Sequence, residues 1–227
     1  GELVKTALLD GSTEKHIKKF YYNNEGRKVG ESKLLSSTQA ISGTKSTFNN
    51  NDQLIVKSVV KDADGSFLES DLKNDIEDVE FVVDSNGKVT VSSGTLNLNW
   101  VHTVYQYDSY GRKIAVIHDA NFDTETRQHL KTEYGYNHQG EVIETKYLSG
   151  KVVRTTRDGR GLVEKEETGY YDSGTFTAKI TVEYNYDFDG NLISKIEPHP
   201  DGDGTKIRTV YTYDDFGRPR GTHTEEF

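Results

Sequence analysis

Cysteine and methionine are absent from this chain of 227 residues, proline occurs three times and tryptophan once. Without cysteine there is no disulfide, no thiolate nucleophile, no CxxC redox pair and no Cys-ligated zinc or iron–sulfur site. Apolar residues are scarce as well. They make up 33% of the chain with its 14 tyrosines included, against a usual share of about 45–50%, so a thick, dry, two-layer core is hard to fill. Positive charge is the minority sign, 28 Lys and Arg against 37 Asp and Glu for a net charge of −9. That balance argues against nucleic acid, whose binders gather basic residues into a positive footprint. No apolar run approaches the ~20 residues of a membrane-spanning helix. A start at Gly1 in a chain without methionine leads us to expect a processed product, with a signal peptide or lipid-anchored segment removed.

Motifs of catalysis are missing too: no GxSxG elbow, no HExxH and no Walker lysine loop occur. Gly159-Arg160-Gly161 opens like a dinucleotide fingerprint but lacks the third glycine and the following helix. Seven histidines, His16, His102, His118, His129, His138, His199 and His223, show no ligand spacing. Asp62 with Asp64, and Asp201 with Asp203, put oxygen ligands on alternate residues, yet neither stretch continues into an EF-hand loop. A glycosidase needs two carboxylates at a set separation, and 37 acidic residues offer no ranking. We therefore expect no enzyme activity, no cofactor and no metal.

What is present is a repeat: an aromatic residue, Asp or Asn, two variable residues, Gly, then often an aliphatic residue two places on. The clearest copies are Tyr107-Asp108-Ser109-Tyr110-Gly111, Tyr136-Asn137-His138-Gln139-Gly140, Tyr186-Asp187-Phe188-Asp189-Gly190 and Tyr213-Asp214-Asp215-Phe216-Gly217. Each follows a second tyrosine two residues earlier, at Tyr105, Tyr134, Tyr184 and Tyr211. Looser copies run from Tyr22 to Gly26, Phe48 to Asp52, Val83 to Gly87 and Arg157 to Gly161. The eight units recur at a mean spacing of about 27 residues, inside the 20–50-residue range of repeat architectures.

Turn chemistry explains the pattern. The Asx side chain accepts a backbone hydrogen bond from two residues on, and Gly takes positive φ without steric cost. The result is a hairpin connection. Ahead of one such turn, Ile180, Val182, Tyr184 and Tyr186 share a face and Lys179, Thr181, Glu183 and Asn185 the other, a period of two. Helical periodicity is nearly absent, with Ser70 to Val79 as a weak amphipathic segment or part of a longer irregular insertion.

Tyr107-Asp108-Ser109-Tyr110-Gly111-Arg112 and Tyr213-Asp214-Asp215-Phe216-Gly217-Arg218 resemble the RHS or YD repeat proteins of bacteria, whose hallmark is Tyr-Asp-x-x-Gly-Arg. The resemblance covers roughly residues 100–227 well and 15–95 loosely. It implies an antiparallel strip that coils, in large members, into a hollow shell around a toxin. This chain is too short for such a shell and has no self-cleaving or toxin segment. It looks more like small cell-envelope proteins with YD-like repeats, often lipoproteins, some of which close into a porin-like barrel. The resemblance thus implies a place, the periplasm or cell surface, more than a reaction.

The fold expected is all-β, a single β-repeat domain over 1–227, with less regular repeats in 1–100 and clear ones in 101–227. An antiparallel up-and-down meander of about 16 strands should close, or nearly close, into a barrel, because exposed edges invite aggregation; the alternative is an open coiled β-strip. Sixteen strands leave a wet lumen, which accommodates the low apolar content. A membrane barrel is disfavoured, because Glu144 and Lys146 share the face of Val142 and the segment from Gly221 to Phe227 has no apolar face.

The function expected is a non-catalytic binding or scaffold module with a glycan or protein partner and no membrane-spanning segment. A polysaccharide hydrolase and a purely structural envelope element are the alternatives. Candidate ligand contacts are Trp100, Tyr105, Tyr107, Tyr134, Tyr136, Tyr184, Tyr186, Tyr211 and Tyr213, since aromatic rings stack on sugars and peptide side chains. The stronger reading of each of these tyrosines is structural, as a cross-strand pair that stabilises the sheet.

Overall fold

The computed structural model describes residues 4–10, 13–35, 39–61, 67–84, 87–118, 130–202 and 204–227, with backbone alone at 4–10, 13–16 and 61. The Asp62–Ser66 stretch, Asp203 and His129 lie outside the described residues or side chains, as does the side chain of His16. The chain divides into two compact units, residues 1–131 and 132–227.

In the first unit, β1 (Val4–Asp10), β2 (Thr13–Tyr22), β3 (Lys28–Leu34), β4 (Gln39–Phe48) and β5 (Leu54–Lys61) form an antiparallel meander. A two-residue β6 (Phe67–Leu68) pairs with β4 and leads into α1 (Glu69–Glu77), then a separate hairpin of β7 (Glu80–Val83) and β8 (Val89–Ser93). The meander resumes with β9 (Val101–Tyr107) beside β5, followed by β10 (Lys113–His118). From β11 (Leu130–Tyr136), which enters the second unit at Thr132, the strands β12 (Val142–Lys146), β13 (Lys151–Arg157), β14 (Val163–Asp172), β15 (Thr175–Tyr186), β16 (Leu192–Pro198), β17 (Lys206–Tyr213) and β18 (Pro219–Glu226) pair in chain order, all antiparallel.

The all-β hairpin meander is as expected, but closure is not. Among the described residues, in neither unit does the strand order return to its starting strand, so no barrel closes and the open strip is the form adopted. The edge problem that favoured closure is met on β18 by charge and proline instead: Pro219, Arg220, Glu225 and Glu226 line that strand.

Residues 67–100, opaque as sequence, fill the core of the first unit. Leu72 and Ile76 of α1, with Val79, Phe81, Val89 and Trp100, pack on the inward positions Val56, Val60 and Val104 of the sheet. The helix approaches so closely because β3 and β4 present glycine beneath it. A Cβ on Gly30 would stand 2.5 Å from Ile76 Cγ2, and one on Gly43 would stand 2.4 Å from Leu72 Cδ1. In the second unit Val152 is the one fully buried apolar side chain among the described residues. Its strands are half-wet on both faces, as the low apolar content requires.

Candidate functional site

All eight repeat turns are built alike. The backbone N–H of residue i+3, a glycine in seven of them, donates to the Asx carbonyl oxygen at 2.9–3.3 Å, and the Asx N–H donates to the carbonyl of i+4. The Asx Oδ1 accepts the N–H of i+4 in every turn, at 2.8–3.0 Å, a bond the sequence pattern did not announce. Six turns also show the expected bond from i+2 to Oδ1. Gly26, Gly87, Gly111, Gly140, Gly161, Gly190 and Gly217 all have positive φ; in the remaining turn Asp52 takes that conformation at φ 64°.

The arginine after the glycine has a local task. Arg112 Nε donates to Asp108 Oδ2 and Arg218 Nε to Asp214 Oδ2, both at 2.7 Å. Their guanidinium groups lie 5.2 Å from the ring centroids of Tyr110 and Phe216. Desolvation works to raise the Asp108 carboxyl, but bonds from the Arg112 backbone and side chain and from the Tyr110 N–H outweigh it and hold the group below its ordinary range. At Asp214 the Arg218 backbone bond is the largest cause of a shift in the same direction.

The tyrosine before the Asx ties one hairpin to the one before it. Tyr107 Oη donates to the Leu54 carbonyl at 3.0 Å, Tyr186 Oη to Val163 at 3.0 Å and Tyr213 Oη to Leu192 at 2.9 Å. Each acceptor is the residue two places after the closing position of an earlier turn. Tyr105, Tyr134, Tyr136, Tyr184 and Tyr211 are half-buried in their strands. Lys113 Nζ lies 5.0 Å from the Tyr105 ring centroid, and burial is the largest cause raising the Tyr184 hydroxyl.

Trp100 requires a correction. It is 1% exposed and edge-on to Phe81, so the core takes it and no ligand can stack on it. Its Nε1 donates to Asp75 Oδ2 at 2.9 Å. The same buried carboxylate accepts the Asn97 N–H and amide on Oδ1 and the Leu98 N–H on Oδ2. Asp75 thereby fastens α1 to the segment leading into β9. Nearby, Ser58 Oγ and His102 Nδ1 are 2.7 Å apart, both side chains buried, and burial pushes the imidazole down to about 4. Lys45 Nζ donates to the carbonyls of Asp75, Ile76 and Val79 at the end of α1, and burial brings its ammonium down to about 8 against the opposing pull of Asp75, Glu80 and Asp78.

Beside this cluster opens a cleft of about 920 Å³, between the turns Tyr22–Arg27 and Phe48–Asp52 and the connection from α1 to β7. Its lining includes Tyr22, Asn24, Asn50, Phe48, Glu77 and Glu80. Arg27 Nη2 holds Asp52 Oδ1 at 2.6 Å and its guanidinium lies 4.8 Å from the Phe48 ring centroid. None of these residues was singled out from the sequence except as members of the looser repeats. Their convergence depends on α1, whose contacts no local pattern encodes. Among the described residues, no three His, Asp or Glu side chains converge to hold a metal ion, and no helix is long and apolar enough to cross a membrane.

No family model matches the chain, and no curated protein matches it. Among solved structures, TcdB2-TccC3 without its hypervariable C-terminal region is similar at 16% identity and a TM-score of 0.47, over 93% of this chain. A Photorhabdus luminescens Tc holotoxin pore is similar at 12% identity and a TM-score of 0.21, over 91%. The chain spans 11% and 14%, respectively, of those two chains.

Proposed function

We propose that this chain is a non-catalytic binding and scaffold module of the bacterial cell surface or periplasm, a relative of the RHS or YD repeat proteins. The observation that carries the reading is the division of labour among its side chains. Turn Asx, Arg and Gly residues and three tyrosine hydroxyls are spent on holding hairpins together. The cleft of the first unit is lined partly by such groups, Asn23, Arg27, Asn49 and Asp52, and partly by Tyr22, Asn24, Phe48, Asn50, Glu77 and Glu80, which take no part in the turn bonds. Such a body suits holding a ligand or partner in place.

The test is a thermal-shift screen of the purified protein against peptidoglycan fragments, bacterial polysaccharides and surface-protein fractions, with product release followed in parallel. A ligand of the folded state at a hundred times its Kd stabilises by about 2.7 kcal/mol. A saturable shift without turnover is expected. Release of reducing ends from any polysaccharide would replace this reading with that of a hydrolase.

A further inference from the structure

We propose that the cleft between the first two repeat turns and the α1–β7 connection binds a neutral oligosaccharide; this rests on the binding-module reading and names its ligand class. The volume, about 920 Å³, falls within the roughly 300–1,000 Å³ of small-molecule sites. The lining has two parts of different origin. The repeat supplies the first: Asn23 and Asn49 are consumed by their own turns, while the next residues, Asn24 and Asn50, are exposed and take no part in that bonding. Two amides therefore recur at the same position of two neighbouring hairpins, with Tyr22 and Phe48 below them on the strands. An amide offers both donor and acceptor, which matches sugar hydroxyls, and aromatic rings match the C–H faces of pyranose rings.

The insertion supplies the second part, Glu77 at the end of α1 and Glu80 at the start of β7. Charge then selects among sugars. The cations at these carboxylates are already engaged, Arg27 on Asp52, Lys45 on three backbone carbonyls and Lys73 on Glu77 at 3.8 Å. An anionic sugar would meet carboxylates with no cation to spare, whereas neutral hydroxyls donate to them. The walls are also pre-formed, because the buried Asp75 and Lys45 pin the end of α1.

Isothermal titration of the whole protein with maltohexaose, cellohexaose, mannohexaose, xylohexaose and chitohexaose, and with trigalacturonate as the anionic control, tests the assignment. One neutral series should bind saturably and trigalacturonate should not. Asn50→Ala and Glu77→Gln should each weaken that binding roughly tenfold, with the melting temperature of the free protein unchanged. Phe48→Leu should weaken it as well. Silence of all five neutral sugars, preference for trigalacturonate, or binding that ignores all three substitutions overturns the proposal. In those cases a shift with peptidoglycan fragments or a surface protein in the broader screen leaves the binding-module reading standing, and a flat screen removes both.

Discussion

Within each turn, one Asx oxygen and one left-handed residue do most of the conformational work. Gly190 shows the cost of that geometry cleanly, since its φ is +88° and an added Cβ would have only Leu162 Cδ1 at 3.7 Å. The Cβ of Gly190→Val meets no clash, and the left-handed backbone alone imposes a penalty of about 1–2 kcal/mol; chemical denaturation should show that loss, and an unchanged midpoint would contradict the turn geometry. Asp52 is the converse case. Asp52→Gly relieves the left-handed strain while losing an ion pair whose aspartate is 70% exposed, and pairs of that kind are worth about 0–1 kcal/mol. A small rise in melting temperature is expected; a fall would mean that the Arg27 contact outweighs the strain. Tyr186→Phe deletes the bond to the Val163 carbonyl and should cost about 0.5–1.5 kcal/mol by urea unfolding. A neutral result would show that the hydroxyl does not fasten neighbouring hairpins.

At the scale of elements, α1 stands against the sheet because glycines lie beneath it, and the buried polar groups around it set the response to pH. Gly43→Ala should destabilise by about 1–3 kcal/mol through contact with Leu72. In a double-mutant cycle with Leu72→Ala the double mutant should lose less than the sum of the two single losses, and strict additivity would refute the contact. His102 is held neutral by burial, with a folded value of about 4 against an ordinary 6.5. The unfolded chain therefore binds the proton first as pH falls. The stability contributed by the neutral ring is complete above pH 6.5 and drains as pH drops toward 4, on the order of 3 kcal/mol in all. His102→Asn, which can keep a bond to Ser58, should flatten that part of the stability–pH curve; an identical slope would assign the acid sensitivity elsewhere.

Across the whole molecule, the two units bury apolar surface very unequally. The first carries a continuous core from Ile17 to Ile117, and the second buries only Val152 completely among the described residues. The second unit relies on ladder bonds and cross-strand polar pairs. One example joins Arg154 to Glu144 at 2.7 Å beneath Tyr171, whose hydroxyl also donates to Glu144. Native-state hydrogen exchange should find residues 132–227 opening at lower free energy than the β4, β5 and β9 amides of the first unit. Equal protection in both units would show that the half-wet strip is stabilised by something other than buried apolar area.

The sequence alone determined what is local. Turn positions, the left-handed glycines, the strand period and the all-β class follow from interactions spanning about five residues, so a one-dimensional pattern can carry them. Tertiary structure decided what depends on distant partners. Closure is one such feature: among the described residues, in neither unit does the strand order return to its first strand, and on β18 charge and proline guard the edge instead. Trp100 became core because Asp75, on a helix 25 residues earlier, meets its indole N–H. The cleft exists because two looser repeats and an irregular insertion converge, and nothing in the spacing of those segments specifies that they meet.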